Sequence, residues 1–245
     1  MTIKLSVNVN KVATLRNSRG GSVPSVIDAV RVCVKAGAPG ITVHPRADER
    51  HIRARDVRDI SVELKENARR VEFNMEGDPR QDFLDLVEEI RPAQCTLVPV
   101  KPGEITSQAG WPTSTSKSTL GAVVERLKKS GVRVSLFIDP EVDAVRWASD
   151  MGGDRVELYT EPFAREFEAG RDRGETSFRK YARAAELAQT LGIGVNAGHD
   201  LDLHNLPLFK RLPHLEEVSI GHALMSDALF MGLENAVRAY LKVLE

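Results

Sequence analysis

His44 and Glu76 each close a short apolar run, Glu157 sits inside another, and His199 follows a fourth by three residues. An imidazole or carboxylate in such a place costs free energy unless it is paired or used. Groups of this kind, tuned towards neutral pH, shuttle protons as general acids and bases. Asn8, Asp139 and the pair Gly221-His222 stand in the same relation to other runs, and Lys101 and Thr106 follow a further one. Two glycine-bearing stretches, Asn196-Ala197-Gly198-His199 and Gly221-His222-Ala223, would let backbone amides approach an anion closely. A basic set, Arg16, Arg19, Arg46, Arg50 and His51, lies near the first two runs, and an arginine fork matches phosphate geometry. Two anion sites beside one mouth suit two phosphorylated substrates or one bisphosphate.

Several of these residues have plainer readings. Asp139-Pro140 and Asp78-Pro79 read as a capping carboxylate before a proline in the first helical turn. Glu157 either pairs with an arginine inside the fold or serves the chemistry. His204 reads as a turn residue and His214 as a surface residue. Arg53, Arg55 and Arg58 read as a solvated face.

The elements that must position these groups alternate. Eight apolar runs rich in Val, Ile and Leu recur at Ile3–Asn8, Gly40–His44, Val71–Glu76, Gln94–Val100, Arg133–Asp139, Arg155–Tyr159, Gly192–Asn196 and Glu217–Ile220. Helical patterns separate them. Phe83, Leu86, Val87 and Ile90 keep helical spacing up to Pro92, and Leu229, Leu233, Val237, Tyr240, Leu241 and Leu244 form one stripe near the end. Eight such units in 245 residues predict an α/β fold, a (β/α)8 TIM barrel in one domain over residues 1–245. The first run lacks the G-x-G-x-x-G turn of a dinucleotide-binding sheet. In such a barrel the carboxyl ends of the strands carry the active site. Two stretches, Lys101–Ser118 and Glu161–Glu175, read as long loops. Either suits a lid that shuts out water, and the second reads equally as disorder.

Composition narrows the partners. Lys plus Arg is 34 against 35 Asp plus Glu, a net charge of −1, and aromatics are 5%. That leaves no basic excess or stacking platform for nucleic acid. No run of eighteen apolar residues predicts a membrane span, and Met1-Thr2-Ile3-Lys4 opens no signal-peptide core. Cys33 and Cys95, far apart, are expected as reduced thiols of a cytoplasmic protein.

The segments Asn8-Val9-Asn10-Lys11-Val12-Ala13-Thr14-Leu15-Arg16-Asn17-Ser18-Arg19-Gly20, Gly40–Arg46 with Arg50-His51-Ile52, and Phe73-Asn74-Met75-Glu76 resemble the pyridoxine 5′-phosphate synthase family. So do Leu97-Val98-Pro99, Val134–Asp139, Val195–His199 and Ile220–Ala223, in order along almost the whole chain. The resemblance implies a (β/α)8 barrel with a few extra helices, assembled as a homo-octamer, needing no metal or organic cofactor. It implies condensation of 3-amino-2-oxopropyl phosphate with 1-deoxy-D-xylulose 5-phosphate to pyridoxine 5′-phosphate, inorganic phosphate and water. By the same resemblance His44 and Glu76 are general bases, His199 is a general acid and Glu157 stabilises cationic, imine-like species. Asn8, Arg19, Asp200, Gly221 and His222 match positions that hold the aminoketone phosphate. Asn10, Lys11, Arg46, His51 and Thr106 match those that hold the deoxyxylulose phosphate. The chain departs from the family pattern at Asn10-Lys11, where Asp-His is expected, and at Asp200, where Gly is expected. The residues alone leave open a Schiff-base aldolase using Lys101 and a non-catalytic sensor of phosphorylated ligands.

Overall fold

Eight short strands hydrogen-bond side by side, all parallel, and the last pairs with the first to close a barrel. The structure is a computed structural model and describes residues 2–100 and 108–245. The strands are β1 Lys4–Asn8, β2 Gly40–Val43, β3 Glu72–Gly77, β4 Gln94–Leu97, β5 Arg133–Ile138, β6 Arg155–Tyr159, β7 Gly194–Gly198 and β8 Leu215–Ile220. Around them run α1 Asn10–Arg19, α2 Val26–Lys35, α3 Ala54–Asn67, α4 Gln81–Ile90, α5 Ala122–Lys129, α6 Val142–Asp150, α7 Glu161–Glu168, α8 Arg171–Thr190, α9 Leu206–Phe209, α10 His222–Met231 and α11 Leu233–Leu244. The connections after β1, β6 and β8 each hold two helices, which supplies the extra helices of this (β/α)8 barrel.

Strand residues alternate between two environments because successive side chains point to opposite faces. Leu5, Val7, Ile41, Val43, Met75, Cys95, Leu97, Val134, Leu136, Val156 and Leu158 point outward into the sheath of helices and are fully buried there. The opposite parity is largely polar, with Phe137 and Tyr159 breaking it near the carboxyl ends. Ser6 and Thr42 hydroxyls meet at 2.6 Å, Asn74 donates to Thr42, and Thr96 donates to Asn74. Nearer the strand starts, Gln94 donates to Glu217, Asn196 donates to Gln94, and Arg155 donates to Asn196. Branched apolar layers usually fill a barrel of this kind; polar side chains, most of them hydrogen-bonded, dominate this one.

Three expectations from the sequence are corrected. Neither Asp-Pro pair caps a helix. The carbonyls of Asp78 and Asp139 accept the N–H two residues on, at 2.8 Å each, and this tight turn delays the helix. Arg80 and Glu141 then occupy the caps. Asp78 pairs with Arg80, and the Asp139 carboxylate accepts the Gly110 N–H at 3.1 Å. The final stripe is two helices: Gly232, at φ 81°, breaks it and leaves Leu229 exposed on α10. Glu161–Glu175 is no loop. Its charges hide the spaced aromatics Phe163 and Phe167, which pack on each other, and Phe163 joins α7 to Tyr181 of α8 and Phe209 of α9. Of the two readings left open for Glu157, the arginine pair falls away: Arg155 on its own strand is taken by Glu216 and Asn196, and Glu157 faces the carboxylates of Glu76 and Glu217. Of Lys101–Ser118, residues 101–107, including Lys101 and Thr106, lie outside the described residues; further on, Trp111 Nε1 donates to Leu97 O at 2.8 Å.

Candidate active site

The carboxyl ends of the strands surround a cavity of about 380 Å³. Each strand end delivers its residue by parity. Asn8 closes β1 two residues after inward Ser6, and Glu76 stands two after Asn74 on β3. Glu157 lies inward on β6, while His44 and His199 each stand one residue past the end of a strand. Asn10 and Lys11 come from the first turn of α1, Arg46 and His51 from the connection after β2, Asp200 from that after β7, and Gly221 and His222 from the start of α10. All of these line the one cavity. Arg19 does not; it ends α1 and is exposed. Arg16 is structural: it is buried, forks onto Asp56 and donates to the His51 carbonyl. His204 lies in a turn and His214 is exposed.

The lining is knitted together. Asn8 Oδ1 accepts the Asn10 N–H at 3.0 Å, and Asn8 Nδ2 reaches Glu76 Oε2 at 3.4 Å. Ser219 Oγ donates to the other Glu76 oxygen at 3.3 Å. Ser219 was not among the expected site residues, although its inward parity with Glu217 on β8 signals it. His51 Nδ1 accepts the Ile52 N–H at 2.9 Å, which leaves Nε2 to carry the ring proton. His44 Nε2 is buried and has no hydrogen-bond partner among the described residues, an orphan that a ligand group would satisfy. His199 packs against both Phe137 and Tyr159, at centroid distances of 5.0 and 5.5 Å, and those two rings touch each other at 5.4 Å.

Burial sets the electrostatics. It pushes the Glu76 carboxyl up to about 7; the Ser219 hydroxyl opposes the rise and the Glu217 carboxylate adds to it. Glu157 rises well above the carboxylate range through burial, and then through Glu76 and Glu217. The Thr96 side chain opposes that rise. Burial, then the charges of His51 and Arg46, hold His44 well below the usual histidine range. Burial and Arg46 bring His51 down to about 4. Burial also lowers His199, against the opposing charge of Asp200. The cavity thus pairs neutral imidazoles with one carboxyl poised near neutral pH and a second raised above the carboxylate range, the condition for proton transfer in both directions. Its rim is suited to anions: neither α1 nor α10 carries an acidic residue in its first turn, and no cap side chain covers the start of α10. Among the described residues no group of three or more His, Cys, Asp or Glu could hold a metal ion.

Among solved structures, 3-keto-L-gulonate-6-phosphate decarboxylase from Vibrio cholerae matches with a TM-score of 0.64 at 12% identity, covering 99% of this chain and 98% of the other. That likeness shows the barrel alone. In sequence, pyridoxine 5′-phosphate synthase from Christiangramia forsetii is 50% identical over 243 residues, 99% of both chains. The enzyme of that name from Porphyromonas gingivalis is 50% identical over 238 residues, 97% of both. These relatives do not favour the aldolase or the sensor. The family described as pyridoxal phosphate biosynthesis protein PdxJ matches residues 5–245, and with half of its residues shared with such synthases over nearly its full length, the chain belongs to that family.

Proposed function

We propose that the protein is an enzyme of pyridoxine biosynthesis that condenses 3-amino-2-oxopropyl phosphate with 1-deoxy-D-xylulose 5-phosphate, releasing pyridoxine 5′-phosphate, inorganic phosphate and water. The observation that carries this reading is the meeting of His44, Glu76, Glu157 and His199 in one cavity rimmed by two helix starts suited to phosphate. The amine attacks the ketone, and the resulting carbinolamine must lose water. His44, neutral at pH 7 and with Nε2 unpartnered, takes the amine proton. Glu76, poised near neutral, removes the proton beside the imine so that phosphate leaves. Glu157 ionises as the cationic imine forms beside it, and in a dry site that charge acts strongly. An aldol-type closure then joins the remaining carbons into the ring, and His199 donates the proton that carries the second oxygen away as water. Its lowered affinity for that proton is offset when phosphate dianions enter the cavity.

Asn8, Asp200, Gly221 and His222 hold the aminoketone phosphate at the start of α10, with Arg19 brought to the same phosphate. Asn10, Lys11, Arg46, His51 and Thr106 hold the deoxyxylulose phosphate at the start of α1. Lys11 adds a positive charge there. The reaction belongs to the cytoplasm, consistent with Cys33 and Cys95 as buried free thiols; among the described residues no helix is long and apolar enough to cross a membrane. The assembly is a homo-octamer. Leu229 and Phe230, 75% and 93% exposed beside Met231 on α10, offer a surface for a second copy. Sedimentation giving only monomer would remove that part.

The test of function is phosphate release from the purified protein with each substrate alone and with both, together with mass detection of pyridoxine 5′-phosphate. Both products, only when both substrates are present, are expected. An intact protein that gives neither refutes the reading.

A further inference from the structure

His199 and Asp200 adopt φ of 81° and 59°. Two consecutive non-glycine residues thus lie in the left-handed region, where the side chain crowds the backbone. A conformation of this kind persists only where its surroundings hold it. Here three successive carbonyls are each held by a buried donor. Gly198 O accepts the Thr160 backbone N–H at 3.0 Å and lies 2.6 Å from the Thr160 hydroxyl. His199 O lies within reach of the same hydroxyl, whose one proton the two carbonyls share. Asp200 O accepts Asn205 Nδ2 at 3.0 Å.

The two donors come from different connections. Thr160 follows β6 directly and Asn205 precedes α9; both are buried, and neither lines the cavity. Asn205 is itself fixed, since its Oδ1 accepts the Asp202 N–H and its own N–H goes to Asp202 Oδ1. The His199 ring completes a three-ring cluster with Phe137 and Tyr159, which also touch each other. A return of φ at His199 to the ordinary negative range would swing its Cα–Cβ bond away from those two rings.

We propose that Thr160 and Asn205 are positioning residues: by holding the carbonyls of residues 198 to 200 they lock the His199–Asp200 turn in its left-handed form and so aim the His199 imidazole into the cavity. The effect on turnover rests on the reading of His199 as the proton donor. The placement of the ring does not.

Three variants separate the causes. Thr160→Val keeps the shape and removes the hydroxyl, Thr160→Ser keeps the hydroxyl, and Asn205→Asp keeps the acceptor for the Asp202 N–H and loses the donor. Turnover is measured with both substrates. The His199 ring resonances are followed by NMR on histidine-labelled protein, assigned by their loss in His199→Asn. For Thr160→Val, kcat is expected to fall tenfold or more with KM within threefold, and the ring protons to lose the shifts imposed by Phe137 and Tyr159. Thr160→Ser should stay close to the parent on both readouts, and Asn205→Asp should follow Thr160→Val. A lower melting temperature with kcat and ring resonances unmoved would overturn the proposal, leaving both residues a role in stability alone. If His199→Asn turns over at the parent rate, the proton-donor reading fails, and the resonances still decide the positioning. If Thr160→Val does not fold, Asn205→Asp carries the same test.

Discussion

Asn10 Oδ1 accepts the backbone N–H of His44 at 2.9 Å. The first residue of α1 therefore pins the residue just past β2, and the two elements that start the cavity wall move together. This gives a position matched to substrate binding a second task, holding the backbone of the proposed base. An aspartate offers the same acceptor oxygen, so the amide in this chain preserves the link while removing a negative charge from the cavity.

That link sets apart two substitutions. Asn10→Ala removes the acceptor and strands a part-buried N–H, at a cost of about 1–2 kcal/mol in stability. Turnover should fall about tenfold, in line with the cost of one lost positioning contact. Asn10→Asp should keep the fold and most of the activity. Denaturant unfolding and steady-state kinetics on both variants check this; equal damage in the two would show that the amide donor, not the acceptor, matters.

Glu76 should make stability depend on pH in a defined direction. Its folded-state value is raised to about 7 from 4.5, so between those limits the folded protein binds more protons than the unfolded chain. Its contribution therefore weakens as pH rises through that window. Glu76→Gln should be more stable than the parent at pH 8, by roughly 3 kcal/mol at most from a shift of this size. The difference should vanish below about pH 4.5, and turnover should be abolished. Unfolding curves across pH test the first claim and phosphate release the second.

Ser219→Ala should move the same group further. The hydroxyl donates to Glu76 and holds its value down. Without it the carboxyl rises, and the limb of the kcat/KM profile assigned to Glu76 should shift to higher pH by up to about one unit. An unmoved limb would mean that another group controls it.

Gly198→Ala tests how tightly Glu157 is housed. A Cβ at 198 would lie 2.4 Å from Glu157 Oε1, closer than any tolerated contact, so the carboxyl must shift. With reacting groups so sensitive to placement, kcat should drop about a hundredfold with a smaller change in KM. Parent-like turnover would count against a role for Glu157 in the chemistry.

Much of this was legible before any coordinates. Alternating apolar runs carry the barrel, and His44, Glu76, Glu157 and His199 were visible because charged or polar residues at strand ends break an apolar pattern. Parity was the signal left unread: Ser219, Asn74 and Thr96 share the inward face with Glu76 and Glu157, and the interior is polar for that reason. Pro79 and Pro140 misled because a tight turn at Asp-Pro competes with the cap. Glu161–Glu175 misled because charge dominated its composition while Phe163 and Phe167, four residues apart, carried its helix. The left-handed backbone at His199 and Asp200 had only a faint signal: neither is glycine, but the glycine expected at 200 from the family pattern suits such a φ.

The polar lining of the barrel also bears on how the strands find one another. Apolar layers tolerate a slipped neighbour, because one branched side chain replaces another. Here Asn74 must meet Thr42 and Thr96, and Gln94 must meet Asn196 and Glu217. A shift by one residue would turn these groups towards the helices and bury them unpaired. The interior thus acts as a lock that accepts one alignment of eight strands. Leucines placed together at positions 94 and 196 would make a core that is easier to fill and less able to refuse the wrong closure.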